Sequence, residues 1–300
     1  MPTRRKKWKG NPDRTSFFPY LKRPLRALFY FVPMEMVSLH IYPVKGMAGM
    51  TVQEAIPEGR GFRYDRRWMM VDPTGRFISQ REHPSLATWQ SVVEGDHLCI
   101  NHRHHPEIRL EIGLDHWGQH PFVPVQIWKD TVLAQSSSTS VDAWLQKHLD
   151  LSCRLVYMGE NSRRPVDPNY ALNGEEVSFA DGYPYLLTTT ASLEDLSRRM
   201  ESDLVMQRFR PSIVLRTTTP YEEDNWKGLQ IGSHRFRITK PCARCQVITI
   251  DPETTSVEPR VLTTLSNYRR VGNNVMFGMN ACWEGGNGTL SLDQKPQILV

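Results

Sequence analysis

Residues 68–79 read WMMVDPTGRFIS, two apolar runs separated by a tight-turn sequence. In Asp72-Pro73-Thr74-Gly75, proline at the second position and glycine at the fourth predict a type I turn. Trp68–Val71 and Arg76–Ser79 are therefore predicted to pair as the two arms of a β-hairpin. The hairpin indicates an antiparallel β structure for this part of the chain.

Short strand patterns recur on both sides of this hairpin, whereas helical patterns are few. Further strands are predicted at Val37–Tyr42, Leu98–Ile100, Ile108–Ile112, Val123–Trp128, Arg154–Met158, Tyr185–Thr188, Ile213–Arg216, Leu229–Ile231, Arg235–Thr239, Gln246–Ile250, Leu290–Leu292 and Gln297–Val300. Helices are predicted at Val141–Leu149 with Ser140 as cap, at Ala191–Met200 with a cap in Thr188–Thr190, and at Val261–Arg269. Many short strands without a βαβ rhythm predict a mostly β protein with β-barrel-like domains and a few short helices.

The stretch Asn161–Tyr170 contains two prolines and predicts a loop between two domains. We expect a basic disordered extension at residues 1–35, one β-rich domain at 36–155 and a second at 156–300. No internal repeat is present.

Positive charge is concentrated at the N-terminus. Residues 1–34 hold nine Lys and Arg and one Asp, so this segment contributes +8 to a chain of net charge +5, and the remainder is at −3. A slightly acidic body does not favour nucleic-acid binding. A disordered extension is the favoured interpretation of the basic segment, and the alternative is an arm that contacts an anionic membrane surface or directs a protein to an organelle.

Cysteine usage indicates a reducing compartment, which we expect to be the cytoplasm. Five cysteines, an odd number in a chain of 300 residues, do not form a disulfide framework. No apolar run reaches the length of a transmembrane helix.

The strongest local motif is KPCARC at residues 240–245, just before an apolar run. A Cys-x-x-Cys pair can be half of a zinc site, a redox pair, or a reactive thiolate beside basic residues. The first lacks a second ligand pair and the second lacks its usual βαβ framework. Lys240, Arg244 and Arg260 are candidates to keep Cys245 ionised. Two small buried hydrophobic side chains remain an equal alternative from the residues alone.

Three other segments place cations at predicted strand ends. They are Tyr42-Pro43-Val44-Lys45-Gly46, Asp65-Arg66-Arg67-Trp68 and Arg208-Phe209-Arg210-Pro211-Ser212. Guanidinium groups bind phosphate through paired donors, although each cation alone is more typical of a solvated surface. No glycine-rich loop has the spacing of a dinucleotide or P-loop site, which disfavours classical nucleotide binding.

Seven segments taken in order resemble a known family. They are the three just named together with FADGYP (179–184), CARC (242–245), LTTLSNYR (262–269) and FGMNA (277–281). The series resembles MOSC-domain molybdenum enzymes with an N-terminal MOSC β-barrel, above all the amidoxime-reducing component family and its bacterial counterparts. It covers about residues 36–300, so the resemblance implies an N-terminal MOSC barrel at 36–155 and a MOSC domain at 156–300.

The resemblance also implies roles for particular residues. Cys245 would be the protein ligand to molybdenum, and Asn280 would lie close to the metal. The pterin and its phosphate would be held by Lys45, Gly46, Arg66, Gly182, Tyr183, Arg210, Ser212, Ala243 and Arg244. Among these site residues, two positions depart from the family pattern: Ser212 stands where asparagine is common, and Gly46 stands where serine is common.

The implied function is a molybdenum-cofactor-dependent oxidoreductase that reduces N-hydroxylated compounds, namely amidoximes, hydroxylamines and N-hydroxylated bases. No cysteine follows Cys282. We therefore expect electrons from a separate reductase or a ferredoxin-, flavodoxin- or cytochrome-type partner, rather than from a built-in iron–sulfur cluster. The alternative is a carrier of molybdenum cofactor or sulfur without reductase activity. Pyridoxal phosphate binding is not expected.

Overall fold

Strands dominate residues 34–299, which are the residues that the computed structural model describes. The predicted basic extension at 1–35 lies outside them except for its last two residues. Of those two, Glu35 already belongs to the first strand.

The strands before residue 160 are β1 (Glu35–Ile41), β2 (Val44–Lys45), β3 (Met50–Val52), β4 (Glu54–Ala55), β5 (Pro57–Glu58), β6 (Gly61–Phe62), β7 (Trp68–Val71), β8 (Trp89–Glu94), β9 (His97–His102), β10 (His105–Gly113), β11 (Phe122–Ile127), β12 (Asp130–Ser136) and β13 (Arg154–Tyr157). The later strands are β14 (Tyr185–Thr189), β15 (Ile213–Arg216), β16 (Gly228–Ile231), β17 (His234–Arg244), β18 (Arg270–Val271), β19 (Asn274–Gly285), β20 (Leu290–Ser291) and β21 (Pro296–Leu299). The prediction of a mostly β fold is confirmed.

The helices are α1 (Thr139–Leu149), α2 (Thr190–Met200) and α3 (Arg260–Arg269). Short 3-10 helices lie at Pro84–Thr88, Leu114–Gln119, Met206–Phe209, Glu222–Asn225 and Gln246–Thr249. All three predicted α-helices are confirmed. Among the helices of residues 34–299, none combines the length and apolar character needed to cross a membrane.

One nine-stranded sheet carries most of the C-terminal half. Its strand order is β21-β16-β17-β19-β14-β15-β1-β3, with β18 also paired to β19. Strand β1 joins this sheet by antiparallel pairing with β15, so the first strand lies in the same sheet as the last one. A five-stranded sheet, β11-β12-β13-β7-β2, and a three-stranded sheet, β10-β9-β8, form most of the rest. The domain limits at 155 and 156 stay a prediction.

Two apolar clusters support the sheets that surround the site. Tyr185, Leu187 and Phe236 pack in the first and lie on strands of the nine-stranded sheet. Trp68 and Trp117 pack in the second, beside the five-stranded sheet. Burial of each such side chain contributes about 1.5–3 kcal/mol to the stability of the fold. The two clusters therefore stabilise the strands whose ends carry the site.

The predicted turn at 72–75 forms, but its second arm is shorter than expected. The Gly75 amide donates to the Asp72 carbonyl at 2.9 Å, and the Asp72 carboxylate accepts from the Thr74 amide at 2.9 Å. Phe77 pairs with Val71 only as an isolated bridge. The Phe77 amide bonds to Gln126 instead, so the second arm divides its pairing between two neighbours.

Three local predictions need correction. The cap of α1 is Ser138 rather than Ser140, because the helix begins two residues earlier than predicted and the Ser138 side chain accepts from the Val141 amide. Residues 246–250 were predicted as a strand, but Gln246–Thr249 is a 3-10 helix because the chain turns after β17. Strand β19 was not predicted, since glycines and asparagines interrupt its apolar pattern; Gly278 has φ +74°.

Candidate functional site

Cys245 lies at the point where β17 gives way to the short helix Gln246–Thr249. The strand pairs with β19 through several register shifts, two of them at Ile238/Lys240 and Pro241/Ala243. The Cys245 backbone is extended, and its carbonyl accepts from the Ile248 amide at 3.3 Å. The thiol is half-buried, and Cys245 lines the same cavity as Cys242.

The Arg244 side chain links Cys242 to the segment that carries Phe209. One guanidinium nitrogen donates to the Cys242 sulfur at 3.0 Å, and the other donates to the Phe209 carbonyl at 2.6 Å. Its Nε is buried and has no partner within residues 34–299. Arg260 does not belong to this group, because it forms an ion pair with Glu258 at 3.0 Å. The sequence-based suggestion that Arg260 acts on Cys245 is therefore wrong.

Arg66 and Arg210 lie close together. Arg66 lies just before β7, and Arg210 lies just before β15. Both have left-handed backbones, with φ of +49° and +53°, and both guanidinium carbons lie 4.3 Å from the Tyr42 ring centre. Arg66 donates to Asp65 at 2.6 Å and to the Arg210 carbonyl at 3.0 Å. Arg210 donates to the Met47 carbonyl at 2.8 Å.

The electrostatics of this pair favour an anion. Burial and the nearby charge of Arg66 lower the pKa of Arg210 to about 10. A lowered pKa means that the surroundings oppose the positive charge. Asp65, fully buried, is hydrogen-bonded to Arg66 and to the Tyr42 amide. Among residues 34–299, Arg210 has no carboxylate as a hydrogen-bond partner, so an added anion would relieve the repulsion.

Lys45 and Asp181 form an ion pair on another wall, with 2.6 Å between Nζ and the carboxylate. Burial lowers the pKa of Lys45 although Asp181 opposes this shift. For Asp181, withdrawal from bulk water would raise the pKa, but the charge and hydrogen bond of Lys45 outweigh it and the pKa is lowered. The Asp181 side chain is nevertheless 72% exposed, because it faces the open cavity.

These groups line one cavity of about 160 Å³. Every cofactor-site residue implied by the family resemblance is among its lining residues: Lys45, Gly46, Arg66, Gly182, Tyr183, Arg210, Ser212, Ala243, Arg244, Cys245 and Asn280. Their proposed roles stay a prediction, whereas their convergence on one cavity is a property of the fold.

The neutral members of the set have defined positions. The Ser212 hydroxyl accepts from the Leu186 amide at 3.2 Å, and the Asn280 amide donates to the Pro241 carbonyl at 3.4 Å. Gly46 has φ +89°, so its conformation favours glycine. A Cβ at Gly182 would meet no atom within 4 Å, which leaves open space above this loop. The Tyr183 hydroxyl is buried without a partner in the described residues.

One wall of the cavity was not predicted from the sequence. Phe77, Arg81 and Trp128 all line it. Arg81 stacks over the Trp128 ring at 4.4 Å, and Phe77 contacts the same ring with 4.7 Å between centres. The sequence signal that pointed to this wall was Trp128, a tryptophan at the end of a predicted strand. In the structure, Trp128 has a φ of +54°. Asp181 was quoted only as part of a motif and received no role.

Arg164 was also missed, because it lies in the stretch interpreted as a linker. Its side chain is 3% exposed and donates to the Ser178 carbonyl at 2.9 Å, to the Ala180 carbonyl, and to the Asp181 carbonyl at 3.2 Å. It also pairs with Asp130 at 2.9 Å. One buried guanidinium thus holds the loop that presents Asp181 to the cavity.

We expect Arg164→Met to destabilise the protein by about 3–5 kcal/mol, since it leaves buried carbonyls and a carboxylate without their partner. Urea unfolding measures this. Arg163→Met is the matched control, because Arg163 is 65% exposed, and its change should stay within about 0.5 kcal/mol. Equal losses in the two variants would show that Arg164 does not hold the loop.

Comparison with known proteins agrees with this description. Residues 34–152 match the MOSC N-terminal beta barrel domain and residues 174–295 match the MOSC domain. Mitochondrial amidoxime reducing component 2 of Homo sapiens is 30% identical over 246 residues, covering 77% of this chain and 71% of the relative. Mitochondrial amidoxime-reducing component 1 of Mus musculus is 29% identical over 242 residues, covering 77% and 70%.

A second group of relatives is longer. Molybdenum cofactor sulfurase of Solanum lycopersicum is 26% identical over 279 residues, which is 85% of this chain but 34% of that relative. This chain therefore spans about a third of the sulfurase. It belongs to the family of proteins that join a MOSC N-terminal β-barrel domain to a MOSC domain, together with the mitochondrial amidoxime-reducing components and the molybdenum cofactor sulfurases.

Proposed function

We propose that this protein binds molybdenum cofactor in the cavity at Cys245 and reduces N-hydroxylated compounds. The observation that carries the proposal is a cavity whose lining, among residues 34–299, combines two half-buried thiols, those of Cys242 and Cys245, with five cations and a single carboxylate. Thiolate is a soft ligand, and guanidinium and ammonium groups bind phosphate. The relatives named amidoxime-reducing components support the same proposal.

The lining fits a polar anionic group. Arg244 Nε, the Tyr183 hydroxyl and Trp128 Nε1 are buried donors without partners in residues 34–299. Each unsatisfied buried group costs about 1–3 kcal/mol, so a ligand that offers acceptors would be stabilised here. Clustered cations around Arg66 and Arg210 add a preference for negative charge.

Each part of the cofactor would have its own partners. Lys45, Arg66 and Arg210 would hold the phosphate, helped by the Gly46 backbone. Arg244, the backbone of Ala243, Gly182, Tyr183 and Ser212 would contact the pterin. Cys245 would supply the sulfur ligand, and Asn280 would lie near it. When bound, the cofactor supplies a metal that accepts two electrons and can pass them to an N–O bond.

The net reaction joins two electrons and two protons to R–NH–OH and gives R–NH₂ and water. The electrons come from a separate flavin-, haem- or iron–sulfur-containing protein. Asp181 would be ionised at neutral pH, since Lys45 helps to lower its pKa. It therefore accepts hydrogen bonds rather than donating a proton, and the protons come from solvent. Lys45 and Asp181 together would orient polar groups at the cavity wall.

The second candidate function is carriage of molybdenum cofactor or of sulfur on Cys245. The relationship to molybdenum cofactor sulfurases favours it. A carrier would keep the cofactor but release or transfer it, whereas a reductase would turn over with the cofactor in place.

The test is turnover of an amidoxime and of a hydroxylamine by purified full-length protein, with a chemically reduced viologen as electron donor. A reductase gives catalytic amounts of amidine and amine, many per chain. A carrier that retains molybdenum gives none, and that result would replace the reductase by the second candidate.

A further inference from the structure

A second cavity, of about 320 Å³, shares part of its lining with the first. Gln80, Arg210 and Val247 line both cavities. The proposed function uses only the first cavity, so the second has no role in it. Small-molecule sites in proteins measure roughly 300–1,000 Å³, and the second cavity is therefore large enough for a small ligand.

The charges in this cavity do not balance. Arg103, Arg208, Arg210 and Glu253 are its charged lining residues among residues 34–299. Arg103 pairs with Glu253, and Arg208 pairs with Asp251 at 2.6 Å. Arg210 forms no hydrogen bond to a carboxylate in this part of the chain. One positive charge of the lining is therefore left for a ligand.

The histidine of this cavity does not change that balance at neutral pH. Burial, followed by the charge of Arg66, lowers the pKa of His40 to about 4. Its two ring nitrogens lie 2.8 Å from the Ser38 hydroxyl and 3.1 Å from the Thr51 hydroxyl. His40 is thus neutral at pH 7 and already has hydrogen-bond partners.

Two buried donors belong to residues that line the second cavity. The Tyr42 hydroxyl and the Arg208 Nε are buried and have no hydrogen-bond partner in the described part of the chain. Burial raises the pKa of Tyr42 to about 12, although Arg210 and Arg66 oppose this shift, so the hydroxyl keeps its proton at neutral pH. A buried donor without a partner is costly, and a ligand that offers acceptor oxygens would satisfy both groups.

Apolar side chains also line the cavity. Met50, Ala87, Val205, Val247 and Ile250 are among them. A bare inorganic ion would leave this surface uncovered, whereas an organic anion would place its apolar body there. The lining therefore favours an anion with a small apolar body.

We propose that the second cavity binds a small organic oxyanion, whose head is held by Tyr42, Arg208 and Arg210. Its body would pack against Val247 and Ile250. A phosphate or carboxylate head carries negative charge and several acceptor oxygens, which are what the unpaired charge and the two unpaired donors need. This site is distinct from the proposed cofactor site, because Tyr42 and Arg208 line only the second cavity.

The test measures binding of phenyl phosphate, benzoate and benzyl alcohol to the full-length protein by calorimetry at low salt. We expect the anion with the better-matched head to bind at least about tenfold more tightly than neutral benzyl alcohol, because charge-assisted hydrogen bonds are the stronger ones. The tighter of the two anions identifies the head group as phosphate or carboxylate.

Tyr42→Phe removes one proposed contact and keeps the aromatic ring. It should weaken binding of that anion by about tenfold or more, as loss of a hydrogen bond to a charged group does. It should leave the unfolding midpoint unchanged or higher, because an unpaired buried hydroxyl is removed. Tyr183→Phe is the matched control: its hydroxyl is also buried without a partner within residues 34–299, but Tyr183 lines only the first cavity. It should bind the anion as the parent protein does.

A charge placed at an exposed lining position tests the same site without altering a buried group. Val205 lines the second cavity and is 44% exposed. Val205→Glu should weaken anion binding about threefold or more at low salt, and Val205→Lys should strengthen it by a similar factor. Val271→Glu is the control, since Val271 is 63% exposed on β18 and lines neither cavity.

Several results would overturn the anion site. They are equal binding of benzyl alcohol, no binding of either anion, unchanged affinity in Tyr42→Phe, and no response to charge at position 205. Loss of binding in Tyr183→Phe alone would place the anion in the first cavity and would overturn the proposal as well. None of these readouts depends on molybdenum, so the anion site and the proposed function can fail separately.

Discussion

Replacing Cys245 with serine is expected to abolish reduction of N-hydroxylated substrates while pterin stays in the protein. Changes in residues that only support a metal ligand typically cost about 10–100-fold in activity, so loss of the ligand itself should exceed this range. The pterin should remain because its proposed contacts, Lys45, Arg66 and Arg210, are unchanged. Viologen-coupled turnover and pterin fluorescence after release from the protein measure the two effects.

Cys242→Ser is the matched control for this experiment. Cys242 lines the same cavity and accepts a hydrogen bond from Arg244 at 3.0 Å. A serine oxygen can accept the same bond, so molybdenum and activity should stay within a few-fold of the parent protein. Full activity in Cys245→Ser, or equal losses in the two variants, would overturn the assignment of the ligand to Cys245.

Arg210→Met is expected to empty the cavity of cofactor without unfolding the protein. Truncation of a buried partner of a charged group typically costs about 2–5 kcal/mol of binding, which is roughly 30- to 3000-fold in affinity. Arg210 is placed to make such a contact, since its charge lies beside Arg66 and, within the described part of the chain, its side chain donates only to the Met47 carbonyl. Pterin content of the purified variant is the readout.

The Arg210→Met variant should lose affinity for the cofactor without losing folding stability. Burial and Arg66 lower the pKa of Arg210, so folding disfavours its charge, and removing the charge relieves that cost. The cofactor-free variant should therefore unfold at the same temperature as the cofactor-free parent, or higher. Arg216→Met, at an exposed position on β15, is the control that should keep its pterin. A clear drop in the unfolding temperature of Arg210→Met would mean that Arg210 serves the fold and not the cofactor.

Regular alternation made much of the fold predictable. Strands such as β14 and β15 are short apolar runs with clear ends, and α2 begins at a threonine cap as expected. Strand β19 was not predicted because a left-handed glycine at 278 and several polar residues interrupt its apolar pattern. The prediction of a strand at 246–250 was wrong because β-branched residues favour strands in general, whereas the turn after β17 needs a short helix there.

Site residues that belong to short sequence motifs could be predicted. Those that reach the cavity through pairing between distant parts of the chain could not. Lys45, Arg66 and Cys245 each lie in a short motif, so a resemblance singles them out. Arg81 and Trp128 reach the cavity only because 76–77 pairs beside β7 and β11. Such placement depends on long-range register, which no local sequence pattern specifies.

The most direct test of the central claim is the molybdenum and pterin content of the full-length protein, purified from a host that makes molybdenum cofactor. We expect close to one molybdenum and one pterin per chain, with both lost together when the protein is unfolded. Protein that is folded and free of both molybdenum and pterin would show that the cavity at Cys245 does not bind molybdenum cofactor. The cations around Cys245 would then serve a different anion.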